Sequence, residues 1–211
     1  QARPRHLAGP EAEVLLDPRH FVSERLVQLY DRARRYAQLN VPVLILGERG
    51  TGKTTLASWI RSHSPFRQPD KDRSWPSVPC SQYSPETMRA ELFGYVRGAF
   101  TDARQDTEGL LHVADGDTLF LDEIGDISRD LQRLLIRALE EKSFTRVGAR
   151  TPEKSAFRLL TATNLDWATL QERLDPDFLD RISPLVLEVP PLRLLRDDLP
   201  WLWRHIFEQS L

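Results

Sequence analysis

Residues 47–54 read Gly47-Glu48-Arg49-Gly50-Thr51-Gly52-Lys53-Thr54 and satisfy the spacing G-x-x-x-x-G-K-[ST] in full. This pattern constrains the fold more than any other stretch, because it works only between a buried strand and a helix. Both neighbours are present. Val41-Pro42-Val43-Leu44-Ile45-Leu46 precedes it, a short apolar run with β-branched residues, as a strand covered on both faces requires. Thr54-Thr55-Leu56-Ala57-Ser58-Trp59-Ile60 follows, with apolar residues at helical spacing. In such a setting glycines let backbone N–H groups converge on phosphate oxygens, and the helix N-terminus adds favourable partial charge. Lys53 is expected to reach the β- and γ-phosphates, and the Thr54 hydroxyl to ligate Mg²⁺. The candidate cofactor-binding set is Gly47, Glu48, Arg49, Gly50, Thr51, Gly52, Lys53, Thr54 and Thr55, completed by Asp122 from a second motif.

The remaining pattern alternates helices and strands. Apolar residues Leu26, Leu29, Tyr30 and Ala33 predict a helix from about Ser23, a suitable N-cap, to Leu39. A helix to about His63 follows the phosphate loop, then a charged, proline-bearing surface loop over 64–76. Ser77-Val78-Pro79-Cys80 reads as a short strand, awkward for its proline. Residues 84–93 read as a helix capped by Ser84, with Pro85 first and Thr87 in place of a capping-box Glu. A glycine-flanked segment, 94–103, precedes a helical turn over 109–115 and the strand Thr118-Leu119-Phe120-Leu121. Ser128 to Glu141 is helical, with Leu131, Leu134, Leu135, Ala138 and Leu139 on one face. Phe157–Asn164 is another strand, 176–181 a short helix, Val186–Val189 a last strand, and 197–209 a last helix. The fold class is α/β, a parallel sheet flanked by helices with ligands at the carboxyl ends of the strands.

Composition narrows the function classes. The chain is 40% hydrophobic and 28% charged with a formal net charge of −2, which gives no sign of a nucleic-acid-binding surface. One cysteine, Cys80, leaves no disulfide framework and fits a reducing compartment. No run reaches the roughly 18 apolar residues of a membrane span, and no leader pattern opens the chain. A cytoplasmic protein without membrane contact is expected. The histidines show no metal spacing, and the five tryptophans read as packing residues, not a stacking platform for nucleic acid.

A second motif carries the chemistry. Leu119-Phe120-Leu121-Asp122-Glu123 is a buried strand ending in adjacent carboxylates. Asp122 suits Mg²⁺, partly through water, and Glu123 suits orienting and deprotonating an attacking water. A glutamate here also separates a hydrolase from a GTP-type switch that uses glutamine. Asn164, ending Leu159-Leu160-Thr161-Ala162-Thr163-Asn164, is a third element, able to position water or contact the γ-phosphate. Catalytic candidates are thus Glu123 and Asn164, and metal candidates Thr54 and Asp122.

The set Gly47–Thr54, Asp122-Glu123 and Thr163-Asn164 resembles an AAA+ ATPase. Glu91-Leu92-Phe93-Gly94 with Gly98-Ala99-Phe100-Thr101-Asp102-Ala103 looks like the hallmark loop of bacterial enhancer-binding proteins, the activators of sigma-54 RNA polymerase. Gly116–Ile124, Arg146-Val147-Gly148 and Pro190-Pro191-Leu192-Arg193 are similar matches, and the likeness covers about residues 20–208. It implies an ATP- and Mg²⁺-dependent, usually hexameric ATPase whose loop, here Gly98–Ala103, touches sigma-54 and remodels the closed promoter complex. Phe100, an aromatic on a glycine-hinged loop, suits such a contact, and Thr101 can add a hydrogen bond. The bland reading is a hairpin with Phe100 tucked into its own core. Arg181 matches a family arginine that reaches the neighbouring subunit's γ-phosphate, making it the third catalytic candidate. Its bland reading is a surface salt bridge with Asp177 or Asp180.

The chain departs from the family at three places. Asp102 stands where the loop normally has glycine. Pro79, with no side-chain donor, stands where the family commonly has an asparagine that restrains the catalytic glutamate, so the hydrolytic switch is expected to be looser or to rely on another group. Asp175 replaces an earlier family arginine, with Arg173 nearby as a substitute. The expected organisation is a linker or arm over 1–16, an AAA+ core over 17–196, and over 197–211 the start of a helical lid that is largely truncated. Both ends read as cut, with a DNA-binding domain expected in the missing carboxyl-terminal part. The alternative is a related AAA+ domain that has lost sigma-54 contact and acts as a nucleotide-regulated switch. A small-molecule kinase is disfavoured by Glu123 and the Gly98–Ala103 loop.

Overall fold

A computed structural model describes residues 16–71 and 75–209. The expected amino-terminal arm lies outside the described residues except for Leu16. In chain order the helices are α1 (Glu24–Ala37), α2 (Lys53–Ser62), α3 (Pro85–Phe93), α4 (Leu110–Val113), α5 (Arg129–Glu141), α6 (Trp167–Arg173), α7 (Pro176–Ile182) and α8 (Leu199–Gln209). The strands are β1 (Val43–Leu46), β2 (Ser77–Pro79), β3 (Gly94–Tyr95), β4 (Thr107–Glu108), β5 (Thr118–Asp122), β6 (Ser143–Phe144), β7 (Glu153–Lys154), β8 (Arg158–Thr163) and β9 (Leu185–Glu188).

The main sheet is parallel, in the order β2-β5-β8-β1-β9. Every residue of β1 and β8 is buried, so these strands read, Arg158 apart, as continuous apolar or small runs and not as alternations. Alternation still decides which face each side chain enters. Leu44, Leu46, Leu119, Leu121 and Leu159 join the core that Leu92, Leu131, Leu135 and Phe178 of α3, α5 and α7 complete. Val43, Ile45, Phe120, Leu160 and Ala162 point the other way, toward Leu29, Tyr30, Leu56 and Trp59 of α1 and α2. Each leucine buried in this way contributes about 1.5–3 kcal/mol. Helices cover both faces of the sheet.

Local chemistry sets the helix starts. The hydroxyls of Ser23, Ser84 and Ser128 accept from the N–H groups of Leu26, Thr87 and Leu131. The Ser84 and Thr87 hydroxyls also lie within hydrogen-bond distance of each other, 3.1 Å apart. Pro79 is tolerated because β2 is an edge strand, where no outer neighbour needs its N–H. The helix α6 was not legible. It is a short turn capped by Asp166 that buries only Leu170, too few residues to show a period. The 64–76 stretch is less superficial than expected, because Ser64 and Trp75 are buried and Trp75 stacks on Phe120.

Two buried ionic groups fix the edges. Arg158 donates to the carbonyls of Tyr36, Ala37 and Val41, closing the end of α1. Burial holds its pKa down at about 10. Asp198, fully buried, accepts from the N–H groups of Val22 and Ser23 and from the Trp201 indole, tying the start of α1 to the turn before α8. No helix among the described residues is long and apolar enough to cross a membrane.

Candidate functional site

β1 delivers the phosphate loop to the carboxyl edge of the sheet, where Gly50 and Gly52 take φ values of 75° and 88°. An L side chain is strained there, and a Cβ at either position would meet open space. The loop is therefore an open concavity. Gly52 also caps α2 without a side-chain acceptor, leaving the first-turn N–H groups for an external anion. Lys53 Nζ donates to the carbonyls of Gly47 and Glu48, each at 2.9 Å, and the Thr51 hydroxyl donates to Glu48 at the same distance. Burial lowers the Lys53 pKa, opposed by the carboxylates of Asp122 and Glu123.

β8 separates β1 from β5, so three strand ends converge. Thr54 Oγ1 donates to Asp122 Oδ2 at 3.4 Å. Asp122 Oδ1 accepts from the Glu123 N–H at 2.9 Å. Glu123 is one of two non-glycine residues with positive φ among the described residues, at 54°, a strained conformation of the kind that collects at functional sites. Its carboxylate accepts a short hydrogen bond from the Ser81 hydroxyl and lies 3.7 Å from the Arg49 guanidinium. Asn164, exposed at the end of β8, completes a cleft of about 400 Å³ with Lys53, Thr54, Asp122 and Glu123. The hydroxyl and carboxylate oxygens of Thr54 and Asp122 suit Mg²⁺, which takes few protein ligands and fills its shell with water and phosphate. Among the described residues no cluster of three or more His, Cys, Asp or Glu side chains is placed to hold a metal by itself. The residues fit a magnesium nucleotide.

Arg181 does not join this cleft. It pairs with Glu140 of α5, not with Asp177 or Asp180 as the bland reading held, because α7 packs on α5 and turns Arg181 toward it. Arg173 instead borders the chain's own Glu123 and Asn164 in a neighbouring 230 Å³ cavity and is paired with Asp126 at 3.0 Å. The Gly98–Ala103 segment forms the tip of the β3–β4 hairpin. The Gly98 N–H donates to the Ala103 carbonyl at 2.8 Å. Phe100 is 44% exposed, resting edge-on against Tyr95 instead of entering the core, whereas Ala103 is buried. Asp102 has no positive φ, so it replaces the expected glycine without backbone strain.

The pattern that defines the Sigma-54 interaction domain matches residues 20–188. The chain belongs to that family. It is 40% identical over 185 residues to a Nif-specific regulatory protein of Azospirillum brasilense, covering 87% of this chain and 29% of that protein. It is 38% identical over 179 residues to the alginate biosynthesis transcriptional regulatory protein AlgB of Pseudomonas putida, covering 84% of this chain and 39% of AlgB. Thus it spans well under half of these relatives. The structure of NtrX from Brucella abortus in complex with ATP superposes with a TM-score of 0.78 at 28% identity, over 90% of this chain and 40% of NtrX. The P-loop NTPase domain of a sigma-54 activator from E. coli shares the fold, with a TM-score of 0.55 at 16% identity over 81% of this chain and 99% of that domain. The sheet with its flanking helices is therefore the P-loop NTPase fold of sigma-54-dependent activators, of the AAA+ type.

Several residues around the sigma-54 domain's cleft were invisible to motif reading. An apolar cavity of about 730 Å³ adjoins the phosphate loop at Gly50, Gly52 and Thr55 and is walled by Leu29, Leu195 and Trp203. Glu48 forms paired 2.7 Å hydrogen bonds with Arg193, linking the loop to the segment before α8. Ser81 reaches Glu123 from the end of β2, two residues beyond Pro79, whose backbone only sits in register with Asp122. A signal existed for Ser81: a hydroxyl beside the restraining position that proline had vacated. Trp59 and Trp75 are buried, whereas Trp167 and Trp203 are exposed, the latter to 73%.

Proposed function

We propose that this domain binds ATP with Mg²⁺, hydrolyses it, and uses the hydrolysis to remodel the closed promoter complex of sigma-54 RNA polymerase. The observation that carries the reading is Glu123, a carboxylate held in a strained turn beside Asp122, Thr54 and Lys53 at the mouth of the phosphate loop. Bound magnesium ATP supplies the electrophilic γ-phosphorus and a metal that neutralises charge developing on its oxygens. The remaining work falls to the chain. Backbone N–H groups of Gly50–Thr55 bind phosphate oxygens, and Lys53 exchanges its two carbonyls for the β- and γ-phosphates. Thr54 and Asp122 would hold the metal. Asn164 orients the attacking water, and Glu123 takes its proton. The apolar cavity suits the adenine base and the adjoining sugar.

In this reading Arg181 completes the site of a neighbouring subunit in a hexameric ring, after releasing Glu140. Phe100 and Thr101 meet sigma-54 at the hairpin tip, and Ser81 takes over the restraint of Glu123 that Pro79 cannot provide. Residues 17–196 form the AAA+ core and 197–211 begin a lid. DNA contact belongs to a carboxyl-terminal domain, as suits a cytoplasmic regulator, with a two-component input one form of control. Strain-free Asp102 and the Ser81 contact weaken the case for a switch that has lost sigma-54 contact.

Two measurements on the full-length protein test this. Glu123→Gln should keep ATP binding while turnover falls by about 10²–10⁴-fold, the usual contribution of a general base; retained hydrolysis removes Glu123 from that role. ATP-dependent open-complex formation at a sigma-54 promoter supports the motor, and promoter occupancy without opening supports the switch.

A further inference from the structure

Arg49 fills a position at which the phosphate-loop pattern asks nothing of the side chain. Its guanidinium nevertheless turns toward Glu123, 3.7 Å away, while the side chain stays 80% exposed. With Glu123 and Asn164 it borders both the cleft over Lys53 and Thr54 and the smaller cavity that ends at Arg173. It does not line the apolar cavity on the other side of the loop, which Gly50 and Thr55 share. Arg49 therefore stands at the end of the cleft remote from the apolar cavity, beside the side chains suited to a terminal phosphate.

The neighbouring cations are more firmly held. Arg173 is hydrogen-bonded to Asp126 at 3.0 Å, Arg193 is doubly bonded to Glu48, and Lys53 sits on two carbonyls. A 3.7 Å pair lies outside hydrogen-bond geometry, and a largely exposed one contributes little. Arg49 is thus the cation in the cleft that loses least by changing partner. A phosphate group offers a guanidinium two parallel charge-assisted hydrogen bonds, which a lysine ammonium cannot match in geometry.

We propose that Arg49 is a ligand, from within the same chain, for the terminal phosphate of a bound nucleoside triphosphate. In binding it, Arg49 leaves Glu123, so nucleotide arrival releases the carboxylate from its cationic neighbour while the Ser81 hydrogen bond remains. The proposal rests on the nucleotide reading above and adds to it a sensor for the third phosphate. A diphosphate ends short of Arg49 and leaves the Arg49–Glu123 pair in place.

The test compares affinities of full-length wild-type, Arg49→Ser and Arg49→Lys proteins for ADP and for the non-hydrolysable imido analogue of ATP, by calorimetric titration with Mg²⁺. Arg49→Ser should weaken the triphosphate by about 10–100-fold, the range for hydrogen bonds to a charged group, and leave ADP within about twofold. Arg49→Lys should recover part of the loss, since it keeps the charge and loses the fork. A merely structural role would move both nucleotides together. An unchanged ratio of the two affinities in Arg49→Ser overturns the proposal and leaves the nucleotide site intact. Wild-type protein that binds neither nucleotide overturns the site itself, and the Arg49 role with it.

Discussion

Asp117 precedes the strand that carries Asp122 and Glu123, and its replacement by alanine is the most informative stability experiment the structure offers. The carboxylate is 1% exposed. It accepts from Arg61 Nε at 2.9 Å and Nη2 at 2.6 Å, from the Gln68 N–H at 3.1 Å and from the Thr118 N–H at 2.6 Å. Arg61 is 5% exposed, with its guanidinium 5.4 Å from the centre of the Trp75 ring. Asp117→Ala breaks the buried pair with Arg61 from one side and removes the acceptor of two backbone N–H groups. Breaking one side of a buried pair costs about 3–5 kcal/mol. At about 2–4 °C per kcal/mol for a domain of this size, the thermal midpoint should fall by about 6–20 °C. Far-ultraviolet circular dichroism melts read this directly. The paired variant Arg61→Met with Asp117→Leu should recover part of the loss, because apolar groups of similar volume replace a buried ion pair at little net cost while the Gln68 and Thr118 N–H groups still lose their acceptor. A single variant within about 1 kcal/mol of wild type, or a double variant worse than the single, would refute the view that the broken Arg61–Asp117 pair is the cause.

Lys53→Ala should weaken both ATP and ADP by at least about tenfold, the loss of one charged hydrogen bond, and unchanged affinity in a fluorescence titration would contradict the phosphate-loop assignment. Arg181→Ala should lower hydrolysis by about 10³-fold or more in assembled protein and leave dilute monomers unaffected; equal losses in both states rule out action on a neighbour. The same substitution should shift stability by less than about 1 kcal/mol, since its pair with Glu140 is exposed. The Cys80 thiol is pushed well above its usual pKa by burial first, and then by the nearby carboxylates of Asp122, Asp126 and Glu123. Iodoacetamide should therefore modify it only as fast as the domain opens. A native labelling rate equal to that in urea, followed by mass spectrometry, would show the thiol to be accessible.

What the sequence disclosed and what it withheld divide along a physical line. The phosphate loop, the Asp122-Glu123 strand end and the serine-capped helices depend on residues adjacent in the chain, so their chemistry is written locally. The strand order is less local, yet the convergence of Gly47–Thr54, Asp122-Glu123 and Asn164 was legible because each motif ends a buried strand. Contacts joining distant segments were not. Ser81 on Glu123, Arg193 on Glu48 and the apolar cavity behind the loop depend on how strands and helices stack, which no spacing rule encodes. The same holds for Arg181: the bland alternative named its near-neighbour acids, Asp177 and Asp180, whereas tertiary packing supplies Glu140.

The hairpin beneath Phe100 is braced on a second side. Val147 donates to the Gly94 carbonyl and accepts from the Val96 N–H, pinning the hairpin base to the Arg146–Gly148 turn. Gly94 and Gly109 approach so closely that a Cβ on either would come within 2.5 Å of the other's backbone nitrogen. Such a base has little freedom to bend. The tip is then less a tether than a stiff lever, whose angle is fixed where it leaves α3 and α4. A small rotation of those helices is carried outward to the exposed ring with gain, and the ring surrenders little entropy on contact because its approach is already set.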